Sequence, residues 1–188
     1  DVYKRQLVEG KLQQLVGEPG SAVEAWKSVA EGEHRPSIAE AILRRVELEL
    51  LSKKIKTKKA IEELERVRYS WRGDDLELEL LWKLGRYYFA VEDYKSGLRT
   101  LRSAGSQFGG HPNAPKIAED MSNAFVSVYL KDAADSMSAV KAIALFEEFR
   151  ELTPTGEQGD IMIQKLADRL AQVDLLDKAA KLLTQQGD

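Results

Sequence analysis

Leu84-Gly85-Arg86-Tyr87-Tyr88-Phe89-Ala90-Val91-Glu92-Asp93-Tyr94-Lys95-Ser96-Gly97-Leu98-Arg99-Thr100-Leu101-Arg102-Ser103-Ala104 contains two helical patterns on either side of a polar break at Glu92-Asp93. On the upstream side Leu81, Leu84, Gly85 and Tyr88 fall at i, i+3, i+4 and i+7, one face of a helix. On the downstream side Gly97, Leu101 and Ala104 repeat that spacing. Gly85 and Gly97 put a small residue in each apolar stripe, where it lets two backbones approach while larger residues fill the gaps. The block predicts two helices packed as a hairpin.

Outward from this block the same device recurs. A small residue followed four later by a large apolar one appears as Ala22/Trp26, Ala60/Leu64, Gly97/Leu101, Ala142/Phe146 and Ala179/Leu183, with steps of 38, 37, 45 and 37 residues. A fixed period of this length is the mark of stacked helical hairpins. Leu, Ala, Glu, Lys, Gln and Arg fill nearly every segment, and breaks come at short intervals. The pattern predicts helices near 3–16, 21–31, 37–53, 57–70, 75–90, 93–107, 114–131, 136–151, 158–172 and 175–186. Pro19-Gly20 and Pro36 precede Ser21-Ala22-Val23-Glu24 and Ser37-Ile38-Ala39-Glu40, which read as capping boxes. Gly73-Asp74, Gly109-Gly110, Thr153-Pro154-Thr155-Gly156, Asp132, Asp135 and Asp174 mark other junctions. Val46 to Leu50 and Leu76 to Leu80 alternate apolar and charged residues as a strand would, but each runs on into a longer helical pattern and is read as helix.

Leu84-Gly85, Tyr88, Tyr94, Gly97, Leu101 and Ala104 resemble the tetratricopeptide repeat (TPR) signature, and the chain reads as a bacterial-type fragment of that family. Gly10 leads Ala22 by the 12 residues that separate Gly85 from Gly97, Leu166-Ala167 and Leu170 lead Ala179, and Pro154 follows Phe146 where the family often has proline. The first copy has Gln13 in the place of the signature tyrosine, and the second, the Ala60 copy, has Leu48 where a small residue is usual. The resemblance implies an all-α fold, a right-handed superhelical array of antiparallel helix hairpins (a TPR-like α-solenoid). It covers residues 1–188 as one domain of about five hairpins. The opening Asp1-Val2-Tyr3-Lys4-Arg5-Gln6 has no initiator methionine and resembles a translated adaptor peptide, so a longer parent chain is expected.

Composition narrows the function. With no cysteine, thiolate metal sites and cysteine nucleophiles are excluded. A net charge of -3, split at residue 94 into 17 basic against 18 acidic and then 11 against 13, argues against a general polyanion binder. Met121 to Leu130 is uncharged but half the length of a spanning helix, so a soluble protein of cytoplasm or periplasm is expected. His34 and His111 each lie close to a proline in a junction, and Glu62-Glu63-Glu65 and Glu147-Glu148-Glu151 read as wet helix faces. No catalytic residue, metal ligand or cofactor is assigned.

Two surfaces remain. Lys53, Lys54, Lys56, Lys58 and Lys59 crowd one turn as a candidate anion site, but without interleaved aromatics nucleic acid is disfavoured. Residues 60–79, with seven acidic side chains against three basic, are expected to offset part of that charge. Trp82, Arg86 and Phe89, with Glu79 beside them, lie about 100° around the helix from the Leu81/Leu84/Tyr88 stripe. The family resemblance implies a non-catalytic protein-protein interaction module or scaffold whose groove, centred on these four residues, receives a peptide or partner protein. A structural or oligomerisation spacer is the alternative, with a nucleic-acid binder using the lysine turn behind it.

Overall fold

We describe residues 2–70, 72–131, 137–173 and 176–184 of a computed structural model. Among them are ten α-helices and no strand: α1 (Val2–Leu15), α2 (Pro19–Ala30), α3 (Arg35–Leu51), α4 (Thr57–Val67), α5 (Asp75–Ala90), α6 (Tyr94–Gln107), α7 (Ala114–Leu130), α8 (Ala139–Glu148), α9 (Glu157–Gln172) and α10 (Leu176–Thr184). A 3-10 turn at Arg150–Leu152 follows α8. Every expected helix is present, with its ends moved by a few residues. Asp132, Asp135 and Asp174 lie outside the described residues.

The chain divides into two units, Asp1–Asp93 and Tyr94–Asp188. In the first, α1 packs on α2 and α3, α2 on α3, α3 on α4, and α4 on α5. One cluster joins Leu7, Ala22, Val23, Trp26, Val29, Ala41 and Leu48, and a second joins Leu43, Val46, Ala60, Ile61, Leu64, Val67, Leu80 and Leu84. Helix α3 therefore feeds both clusters from two sides, Ala41 and Leu48 on one and Leu43 and Val46 on the other. That is the reason for the strand-like alternation at Val46 to Leu50: a helix between two neighbours is apolar on both. Trp26 is fully buried, and its indole N–H donates to the Leu7 carbonyl at 3.4 Å. Its ring lies so close to Gly10 that a Cβ there would stand 2.3 Å from the indole nitrogen.

Three helices of this unit end in one way. After α1, α3 and α5 the chain turns through a left-handed residue, Gly17 at φ 84°, Lys53 at φ 58° and Glu92 at φ 61°. In each turn the next amide reaches back to the helix: Glu18 N to Gln13 O at 2.8 Å, Lys54 N to Glu49 O at 2.8 Å and Asp93 N to Tyr88 O at 3.0 Å. These are Schellman closures, which satisfy the last carbonyls of a helix. Two of the three use a side chain where glycine would be unstrained.

In the second unit α7 packs on α6 and α9, and α9 on α8 and α10. Phe125, Tyr129 and Phe146 form a ring cluster with centroids 5.1, 5.9 and 6.0 Å apart, and the Tyr129 hydroxyl donates to the Ala142 carbonyl at 2.9 Å. Phe149 is fully buried beneath the Arg102 guanidinium, 4.0 Å from its ring centre. Pro154 has a definite job: its carbonyl presses on α9 where a Cβ at Gly159 would come within 2.0 Å of it.

Two expectations are corrected. Pro19 and Pro36 stand inside the first helical turn, so Ser21 and Ser37 are helix residues rather than caps. A proline there gives up an amide that has no partner anyway, and its fixed φ suits the helix. The residue before α2, Glu18, makes no side-chain cap, and at α3 the cap is His34, whose Nδ1 accepts from the Ser37 amide at 3.4 Å. In the last repeat pair Ala179 is buried, but Leu182 rather than Leu183 is the buried large residue that follows it, Leu183 being 39% exposed.

Candidate functional site

Helix α5 starts with Asp74, whose Oδ1 accepts from the amides of Leu76 and Glu77 at 3.0 and 3.2 Å. Gly73 then donates to the Glu77 carboxylate at 2.6 Å, which satisfies a buried acid at the helix start. From this fixed origin Leu80, Leu81, Leu84 and Gly85 are buried, with Tyr87 and Tyr88 packed against the second cluster. The Tyr88 hydroxyl donates to Glu65 at 2.8 Å. Burial, then the hydrogen bond to Glu65, pushes the Tyr88 phenol up to about 12.

Glu79, Trp82, Arg86 and Phe89 follow at i, i+3, i+7 and i+10 along α5, so they share one side of the helix. Arg86 is exposed, and Glu79, Trp82 and Phe89 are half-buried. The Glu79 carboxylate is held by both nitrogens of Arg44, at 2.6 and 2.7 Å, and lies 3.4 Å from Lys83. Lys83 also pairs with Glu47, and Arg44 with Glu47 at 3.0 Å. Further along, Lys11 on α1 meets Glu40 on α3 at 2.6 Å. A seam of ion pairs thus links α1, α3 and α5. Burial, helped by the neighbouring Arg44 and Arg86, lowers the Lys83 pKa below its ordinary value, and the Glu79 hydrogen bond raises that of Arg44.

Arg44, Glu47 and Lys83 were not singled out from the sequence. The signal was there in outline, because Arg44 and Glu79 are 35 residues apart, close to one repeat step, and residues one step apart meet on neighbouring repeats. Opposite charges at that spacing are too common in a charged chain to stand out.

Lys53, Lys54 and Lys56 lie in the α3–α4 turn and Lys58 and Lys59 in the first turn of α4, and all five are exposed. Lys59 pairs with Glu62 at 3.2 Å. Among the described residues, no hydrogen bond or ion pair joins these lysines to the α5 residues. His111 Nδ1 accepts from the Asn113 amide at 3.1 Å, so both histidines serve turns. Glu148 meets Arg99 at 2.5 Å and Glu151 meets Arg102 at 2.5 Å, in line with a charged helix surface. The Arg99 hydrogen bond holds the Glu148 carboxyl below its usual range. Among the described residues no group of three or more His, Asp or Glu side chains could hold a metal, and no helix is long and apolar enough to cross a membrane.

No protein-family model matches this sequence, and no curated protein does. The fold does have solved counterparts. A Podosopora anserina chain described as a kinesin light chain of nearly identical TPR-like repeats matches with a TM-score of 0.53 at 17% identity, over 97% of this chain and 92% of that one. A variant of it with Gln replaced by Met matches with a TM-score of 0.54 at 16% identity over the same shares. At such identity the likeness is one of fold: the chain has the all-α, TPR-like helical-repeat fold that its repeat residues implied.

Proposed function

We propose that the chain is a non-catalytic interaction module that receives a peptide or partner protein on the α5 face formed by Glu79, Trp82, Arg86 and Phe89. The observation that carries this reading is the pairing of Trp82 and Phe89, both half-buried, with an exposed arginine between them, on the side of α5 opposite the buried Leu80 and Leu84. Tryptophan and arginine are the residue types enriched where binding energy concentrates. The ion pairs from Glu79 to Arg44 and Lys83 hold one edge of the face in place. A bound segment would lay an apolar side chain between Trp82 and Phe89 and meet Arg86 with an acceptor.

The test is selection of peptides from a random displayed library on the 188-residue chain, followed by binding to Trp82→Ala and Phe89→Ala. Both variants should melt close to the parent and lose the selected peptides by tenfold or more, since a hot-spot truncation costs about 2 kcal/mol of binding. Unfolding of both variants would show core residues, and unchanged binding would place the peptide elsewhere. Either result removes the α5 groove.

A further inference from the structure

We propose that the α3–α4 turn is a docking surface for an anionic lipid bilayer. Lys53, Lys54, Lys56, Lys58 and Lys59 are all exposed, and within the described residues only Lys59 has a carboxylate partner, the equally exposed Glu62. The acidic side chains that follow in sequence do not neutralise the others. Glu63 is held by Arg45, Glu65 by Arg68 and Tyr88, Glu79 by Arg44, and Glu77 by the Gly73 amide, while Asp74 caps α5. The first turn of α4 has no acidic residue. Four lysine charges are therefore left facing solvent along this turn and the first turn of α4.

The shape and chemistry of the turn select among anions. It joins two helices, its lysines are all exposed, and the cavities around Gln13 and Thr153 lie at other residues. An extended peptide needs a groove, and neither of those cavities is lined by these lysines. Residues 51–59 contain no arginine, although Arg44, Arg45 and Arg68 make the geometric ion pairs of the same unit. Arginine suits paired recognition of individual phosphates, whereas lysine acts as a point charge toward a diffuse field. No aromatic is present to stack on bases. Leu51, at the end of α3 beside the lysines, is 77% exposed, and offers an apolar side chain to the headgroup region. Lysine stems can lie along such a boundary with their ammonium groups at the phosphates. Closure of α3 by the left-handed Lys53 fixes where Lys53 and Lys54 leave the helix.

The experiment is co-sedimentation of the 188-residue chain with phosphatidylcholine vesicles, with and without phosphatidylserine, at low and at physiological salt. Binding should require phosphatidylserine and weaken with salt. The triple variant Lys54→Gln, Lys56→Gln, Lys58→Gln should bind about a hundredfold more weakly, at about fivefold per lysine. Leu51→Ser should weaken binding with the salt dependence unchanged. Circular dichroism should show both variants folded; if the triple variant is not, Lys56→Gln alone should lose about fivefold. The proposal is overturned if the parent ignores phosphatidylserine, if the lysine variants sediment like the parent, or if an oligonucleotide or polyglutamate is captured through these lysines while vesicles are not.

Discussion

The unit Asp1–Asp93 and the unit Tyr94–Asp188 use the same alternation of helices and hold it with different contacts. The first packs aliphatic residues around one indole and sets ion pairs between α1, α3 and α5. Arg45 and Glu63 in it are both less than a fifth exposed. The second packs three aromatic rings, covers Phe149 with Arg102, and brings a proline carbonyl onto α9. Its Arg99–Glu148 pair has an arginine 58% exposed, where solvent screening leaves little stabilisation. The small-then-large pair is common ground, since Ala22 and Trp26 are as deeply buried as Ala142 and Phe146. The repeat thus constrains which small and large residues are buried and leaves open what fills the rest.

The comparison breaks first at the largest side chains. Phe125→Ala removes a fully buried ring from the aromatic cluster and should cost about 3–5 kcal/mol in urea titration, as should Trp26→Ala in the other unit. A cost for Phe125 well below that for Trp26 would mean that the ring cluster is not what holds the second unit.

Close contacts give the next effect. Gly159→Ala drives a methyl against the Pro154 carbonyl, and Gly10→Ala drives one against the Trp26 ring, so each should lose about 1–3 kcal/mol. Gly159 should lose more, because its obstacle is backbone. The reverse order would show that Pro154 gives way more easily than the buried indole.

The smallest change sharpens the account of the first unit's turns. Lys53→Gly and Glu92→Gly relieve a left-handed residue of its Cβ and should each add about 0.5–1 kcal/mol, read as a higher melting temperature. A loss would mean that the side chain contributes more there than the backbone strain costs. Lys53→Gly also removes one charge from the proposed lipid surface, so its vesicle binding should fall while its stability rises.

Much of this molecule could be read from local pattern. Helix positions, the repeat step and four of the five small-large pairs were legible because a helix buries every third or fourth residue whatever its neighbours are. The caps were less so, since Ser21 and Ser37 look like caps in sequence and a proline one or two residues earlier takes over the helix start. At Ala179 the stripe could run through either Leu182 or Leu183, and only the approach of α9 selects the first.

By itself the sequence determined an all-α repeat with a buried small residue and a buried large one in four of its five copies and a lysine-rich turn, because composition and period act along the chain. The tertiary structure decided which charges have partners. Arg44, Glu47, Glu79 and Lys83 became one network, and the acids after residue 59 went mainly to arginines and amides instead of to the lysine turn. Ion pairing depends on distances of a few ångströms between residues a repeat apart, and chain order does not encode those distances until the helices stack.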